Sequence, residues 1–120
     1  MTKPDLEKIA RRKAERLELL QSSLERMLPQ LEKPGALKVM VFGSLMDGDI
    51  HAGSDLDILA IMPRERSGRE WSRLIYARID RAVASDIMVF NADELDEEIE
   101  VDSFVRQIMK KGRTVLEKAG

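Results

Sequence analysis

The chain has 120 residues, which suits one compact domain and is too short for two. Its formal charge of −2 gives no overall electrostatic case for binding nucleic acid. It contains no cysteine, which excludes disulfides, thiolate metal sites and cysteine nucleophiles. No apolar run approaches the ~20 residues of a membrane span, and the N-terminus lacks the apolar core of a signal peptide. We therefore expect a cytoplasmic protein without a membrane partner.

The first predicted element is a long amphipathic helix. Apolar residues recur at steps of three and four from Leu6 to Leu31, which is the period of a helix with one buried face. Pro29 and the Pro34-Gly35 pair are expected to kink or stop it.

Three apolar segments after this helix predict β-strands at residues 37–42, 55–62 and 86–90. A short helical turn and a loop separate the first two strands. A second amphipathic helix, marked by apolar residues from Trp71 to Val83, separates the last two.

The C-terminal part is predicted to contain helical segments around residues 95–99 and 104–109, then a short strand at 114–116. This order of elements predicts an α/β (α+β) fold in which helices flank a small mixed β-sheet. We assign residues 1–35 to an N-terminal helix that packs on the domain, and residues 36–120 to the domain itself.

Acidic residues stand at the starts of two predicted strands. Asp55 and Asp57 are two residues apart, so their side chains project from the same face of the strand. Two adjacent carboxylates resist ionising together, and a divalent cation between them removes that cost. Magnesium suits such a site because it prefers oxygen ligands and takes one or two carboxylates along with substrate phosphates. Asp86, from a neighbouring strand, would allow a second metal ion and activation of an attacking hydroxyl.

Gly43 and Ser44 end the strand that precedes these aspartates. A glycine lets the backbone approach a phosphate closely, and Ser44 adds a hydroxyl group. The turn that follows can direct backbone N–H groups toward an anion. The pair therefore predicts a site that binds one end of a triphosphate while metal ions bind its α-phosphate.

These residues resemble a known signature. Gly43-Ser44, ten further residues and then Asp55-Leu56-Asp57 are similar to the motif of the polymerase-beta-like nucleotidyltransferases. The chain looks most like their stand-alone minimal members, clearly over residues 39–90 and more weakly toward the C-terminus.

The resemblance implies a nucleotidyltransferase fold with catalytic, metal-binding carboxylates and a phosphate-binding pair. These roles fall on Asp55, Asp57 and Asp86, and on Gly43 and Ser44. Many minimal members carry arginine in the turn after the pair, where this chain has Leu45 and Asp47. The source of positive charge near the triphosphate is therefore left open.

The resemblance also implies an enzyme that transfers AMP from ATP with two Mg²⁺ ions. Minimal members commonly pair with a small helical HEPN-type toxin, which they adenylylate as its antitoxin, so a hetero-oligomer is expected. One alternative is an antitoxin that neutralises its partner by binding, with a weak catalytic site. Another is a subunit of an aminoglycoside-like small-molecule adenylyltransferase, because the turn from Gly43 to Gly48 resembles the variant found in those enzymes.

Plainer structural roles are alternatives for several residues. Asp86 could act as a cap after Ser85, and Ser44 could cap the turn that it opens. The only histidine, His51, is expected in an exposed loop, and Trp71 is expected in the core. The seven methionines are expected to fill the core.

Overall fold

The computed structural model describes residues 5–47, 50, 54–80 and 85–118, with the side chains of residues 46 and 47 excluded. His51 lies outside these residues. The elements in chain order are α1 (Leu6–Glu32), β1 (Lys38–Phe42), α2 (Ser44–Asp47), β2 (Leu56–Met62), α3 (Gly68–Arg78), β3 (Ser85–Asn91), α4 (Ala92–Val101), α5 (Ser103–Lys111) and β4 (Arg113–Glu117). Among the described residues, no helix combines the length and apolarity that a membrane crossing requires.

The four strands form one sheet in the order β3-β2-β1-β4. β1 is antiparallel to both of its neighbours, β2 and β4, whereas β2 and β3 are parallel. The parallel pair needs a crossover connection, and α3 lies in that connection. The predicted α+β class with a small mixed sheet is therefore confirmed.

The first helix passes through Pro29 and ends just before the Pro34-Gly35 pair, as the second of the two proline signals predicts. Its N-cap is Asp5, whose side chain accepts a hydrogen bond from the Lys8 N–H at 3.0 Å. The helix continues through Pro29 and ends at Glu32, so Pro29 does not stop it. Proline has no N–H to donate, but the Pro29 carbonyl still accepts the Lys33 N–H at 3.0 Å.

Helices cover both faces of the sheet. Side chains of α1 and α3 pack on one face and build the larger core, whose buried members include Leu20, Met27, Val41, Ile58, Trp71 and Ile87. Side chains of α4 and α5 pack on the other face around Met40, Leu59, Ile61, Leu95, Val105 and Ile108. Alternate residues of each strand belong to opposite cores, as the period of two requires. The burial of Trp71, Met40 and Met62 agrees with the sequence interpretation.

The predicted second helix extends too far. Its apolar pattern reaches Val83, but α3 ends at Arg78, and Ile79 has an extended backbone with ψ 130°. The Asp80 N–H donates to Oε1 of Gln30 at 2.9 Å, and the Gln30 amide donates to the Asp80 carbonyl at 3.2 Å. This contact with α1 ties down the backbone just after the helix. Residues 82 and 83 lie outside the described part of the chain.

One carboxylate joins the starts of α3 and α4. Glu94 Oε1 accepts the backbone N–H groups of Asn91 and Gly68, both at 2.8 Å. The Asn91 side chain in turn accepts the Glu94 N–H at 2.8 Å, which completes a capping box. Because Asn91 is also the last residue of β3, this network fixes the start of α4 relative to the sheet.

Replacing Glu94 by alanine should lower the free energy of unfolding by about 2 kcal/mol, because two partly buried N–H groups lose a charged acceptor. Urea denaturation measures this loss. Glu97→Ala is the matched control, since Glu97 is exposed on the same helix. Equal losses in both variants would contradict the role assigned to the network.

Candidate active site

The predicted acidic residues meet at one edge of the sheet. Because β1 is antiparallel to β2 while β2 and β3 are parallel, the end of β1 lies beside the starts of β2 and β3. Phe42 pairs with Asp57, and Asp57 pairs with Asp86. Paired strands lie about 4.8 Å apart, so Asp57 and Asp86 are direct neighbours. We call this region, with Asp55, Asp57 and Asp86, the acidic edge.

Asp57 and Asp86 also share a face of the sheet. The residues that follow them, Ile58 and Ile87, point into the core under α1 and α3. Because side chains alternate along a strand, the two aspartates project to the face that α4 and α5 cover. Asp57 is half-buried and Asp86 is exposed, so this pair is accessible from solvent.

Gly43 brings backbone directly against this pair. It has φ 75°, a left-handed conformation that favours glycine. A Cβ atom at this position would collide with Oδ2 of Asp57 and would lie 3.1 Å from its Cγ. The glycine therefore serves two purposes, since it turns the chain after β1 and leaves space for the Asp57 carboxylate.

The surroundings of Asp57 disfavour the charged form of its carboxyl group. Burial raises the pKa of Asp57 above its ordinary value of 3.8, and the charges of Asp86 and Asp55 raise that pKa further. A bound cation would relieve both effects. Within the described ranges, no three acidic or histidine side chains converge closely enough to hold an ion alone. The arrangement fits magnesium, which commonly takes one or two carboxylates and completes its shell with phosphate oxygens and water.

The raised pKa predicts a pH-dependent stability difference between the metal-free wild type and Asp57→Asn. Between pH 3.8 and the raised pKa, the folded state binds more protons at Asp57 than the unfolded state does, so this residue's contribution to stability falls as pH rises. Asp57→Asn should be more stable than wild type at pH 7, by less than about 1 kcal/mol because solvent screens the site. Thermal unfolding in EDTA should show this advantage shrinking toward pH 4. An advantage that grows on acidification would contradict the assignment.

Asp55 occupies a different environment. It lies just before β2, and 59% of its side chain is exposed. Its carboxylate is 3.9 Å from Nη2 of Arg16, while Arg16 Nε donates to the Ser54 carbonyl at 2.7 Å. The Arg16 side chain is only 19% exposed, so α1 reaches the acidic edge through this residue. The sequence interpretation did not predict this contact, because Arg16 and Ser54 are 38 positions apart and no local pattern relates them.

Replacing Arg16 by alanine should lower the free energy of unfolding by about 1 kcal/mol, because the Ser54 carbonyl loses a charged donor while the pair with exposed Asp55 adds little. Chemical denaturation measures the change. Arg12→Ala removes an exposed arginine one turn earlier on α1 and should have no comparable effect. An unchanged midpoint in Arg16→Ala would exclude this role.

The remaining predicted residues are placed as follows. Ser44 is the first residue of α2, directly after Gly43. Asp86 lies inside β3, so the alternative that it acts as a cap after Ser85 is wrong. The structure therefore places Asp57 beside both Gly43 and Asp86, through a close backbone approach in the first case and strand pairing in the second. Asp55 and Ser44 lie at the flanks.

Two cavities differ in their relation to the acidic edge. The larger, about 550 Å³, lies between α1 and α3 and contains none of the predicted site residues. Trp71 lines this cavity, and its indole N–H donates to the Pro63 carbonyl at 2.8 Å. Pro63 follows the last residue of β2, whereas Asp57 lies at the start of that strand. The smaller, about 150 Å³, is lined by Gly43 and by α5. The smaller cavity is therefore the one that lies beside the predicted site residues.

The chain matches one known protein family by its sequence. The sequence profile of the polymerase beta nucleotidyltransferase family matches residues 12–119. A crystal structure of a candidate nucleotidyltransferase from Sulfolobus solfataricus is similar at 22% identity over 73% of this chain and 78% of that chain, with a TM-score of 0.46. No curated protein sequence matches the chain.

A mixed sheet with carboxylates on neighbouring strands beside a glycine turn is the arrangement expected of the nucleotidyltransferase class. The profile match covers nearly the whole chain, and the chain belongs to the polymerase beta nucleotidyltransferase family.

Proposed function

We propose that this chain is a minimal nucleotidyltransferase that transfers AMP from ATP, with Mg²⁺, onto an acceptor group of a partner protein. The observation that carries the proposal is the pairing of Asp57 with Asp86, with the Gly43 backbone packed against the Asp57 carboxylate. Carboxylates held on strands, next to a backbone segment that can approach a phosphate closely, suit phosphoryl transfer. That reaction depends on positioning and charge neutralisation. The absence of cysteine is consistent with the reducing cytoplasm in which we place the protein.

In the proposed reaction, an acceptor hydroxyl oxygen attacks the α-phosphorus of ATP. One new P–O bond forms, the bond to the β-phosphate oxygen breaks, and pyrophosphate leaves. Asp86 is the most exposed of the paired carboxylates and takes the hydroxyl proton as general base. Asp57, with Asp55 at its side, would hold Mg²⁺. The bound ion would neutralise negative charge on the phosphates. Gly43 and Ser44 bind the outer phosphates.

The partner is proposed from the resemblance to minimal family members, and the expected acceptor is a small helical HEPN-type toxin that adenylylation would inactivate. The chain would then act as an antitoxin within a hetero-oligomer. The acidic edge is compatible with a protein acceptor, because Asp55 and Asp86 are exposed on it.

Incubation with ATP labelled at the α-phosphate, Mg²⁺ and the co-expressed product of the adjacent gene tests this proposal. We expect label on the partner with wild type and none with Asp57→Ala. Full neutralisation of a toxic partner by Asp57→Ala would instead support an antitoxin that acts by binding. Label on an aminoglycoside and not on the protein would support the small-molecule alternative.

A further inference from the structure

A lysine from the C-terminal part of the chain lies beside the glycine turn. β4 begins at Arg113, which pairs with Val41, so the preceding residues Lys111 and Gly112 run alongside the end of β1. Gly112 makes this approach close, since a Cβ there would lie 3.2 Å from the Val41 carbonyl oxygen. Strand register therefore places Lys111 next to Gly43, although the two residues are 68 positions apart in the sequence.

The side chains of α5 continue this surface. The helical residues that line the 150 Å³ cavity beside Gly43 are Phe104, Gln107, Ile108 and Lys111. Their spacing of three and four residues places them on one face of α5. Ile108 anchors that face in the core beneath Met40 and Leu59. The polar ends of Gln107 and Lys111 are left at the exposed rim.

This face of α5 covers the same side of the sheet to which Asp57 and Asp86 project. A nucleoside triphosphate bound at the acidic edge would bring several negative charges toward the cavity. Arg16 does not balance them there, because it approaches from α1 and is engaged with Ser54 and Asp55. Among the described residues that line the cavity, Lys111 is the one cation.

We propose that Lys111 binds the β- and γ-phosphates of the nucleoside triphosphate, with Gln107 as a second, neutral donor, and that Lys111 supplies the positive charge missing from the turn after Ser44. The inference rests on the proposed function and identifies a substrate-binding residue for it. A lysine on a four-carbon stem provides three donors and reaches outward from a fixed helix, which suits a mobile polyphosphate.

Calorimetric binding of α,β-methylene-ATP with Mg²⁺ tests the role of Lys111. Lys111→Met should weaken this affinity by about tenfold, because a charge-assisted hydrogen bond is lost. AMP carries no β- or γ-phosphate, and its affinity should change by less than about twofold. Lys111→Arg should retain most of the affinity for the triphosphate analogue.

Lys110→Met is the matched control. Both lysines lie in the last turn of α5 and interact equally with the helix dipole, but Lys110 does not line the cavity. Equal weakening by the two variants, or equal weakening of AMP and triphosphate binding, would overturn the proposal. Unchanged binding by Lys111→Met, with a wild type that binds and transfers, would overturn this inference alone. A wild type that binds no nucleotide with Mg²⁺ would overturn the proposed function as well.

Discussion

Replacing Asp57 by asparagine is expected to abolish nucleotidyl transfer while leaving the fold intact. The amide has nearly the same volume as the carboxylate, so the contact with Gly43 is kept. The change removes the central negative charge of the acidic edge, the one whose pKa is raised by burial and by Asp86 and Asp55. The variant lacks the central carboxylate that would hold Mg²⁺, and the rate of transfer should fall by about a thousandfold or more.

The measurement is the initial rate of label transfer at saturating ATP, together with circular dichroism of the variant. Asp96→Asn is the matched control, because it makes the same change in net charge at an exposed position on α4. It should retain the wild-type rate. A variant Asp57→Asn that keeps more than about a tenth of the rate would show that the chemistry occurs elsewhere.

Replacing Gly43 by alanine is the second large expected effect. The methyl group would be forced against the Asp57 carboxylate, and alanine would have to adopt φ 75°. We expect the free energy of unfolding to fall by about 2–3 kcal/mol, since both steric overlap and left-handed backbone strain are introduced. Nucleotide binding should be lost as well, because the relief of the overlap displaces Asp57.

A double-mutant cycle separates the steric overlap with Asp57 from the backbone strain at position 43. In an Asp57→Ala background the overlap is removed, and Gly43→Ala should then cost only the backbone strain, about 1 kcal/mol. Urea denaturation of the four proteins gives the coupling energy directly. The same cost in both backgrounds would mean that Gly43 is required for its conformation alone and not for its contact with Asp57.

Much of the architecture was predictable because its elements carry strong local signals. Each strand is a short apolar run bounded by glycine, proline or aspartate, so β1 and β2 begin within one residue of the prediction. The prediction of β3 was one residue short at each end. The end of α3 was not predictable, because the apolar period continues to Val83 while the helix ends at Arg78. The Gln30–Asp80 contact that ties down this end joins residues 50 positions apart.

The candidate site was predictable in its residue types and not in its contacts. The sequence interpretation placed Asp86 with Asp57 because it begins a neighbouring predicted strand, and parallel pairing of β2 with β3 makes the two residues direct neighbours. The sequence interpretation assigned Gly43 to the approach of a phosphate, whereas the structure shows that it also accommodates the Asp57 carboxylate. The positions of Arg16 and Lys111 depend on how α1 and β4 pack, which no local pattern encodes.

The most direct test of the central claim asks which phosphates of ATP leave. Two parallel reactions with the wild type, Mg²⁺ and the partner protein would use ATP labelled at the α- or the γ-phosphate. The acidic edge predicts that the α-label becomes attached to the acceptor and the γ-label leaves as pyrophosphate, both only when Asp57 is present. Transfer of the γ-label with release of ADP, or transfer that survives Asp57→Asn, would contradict it.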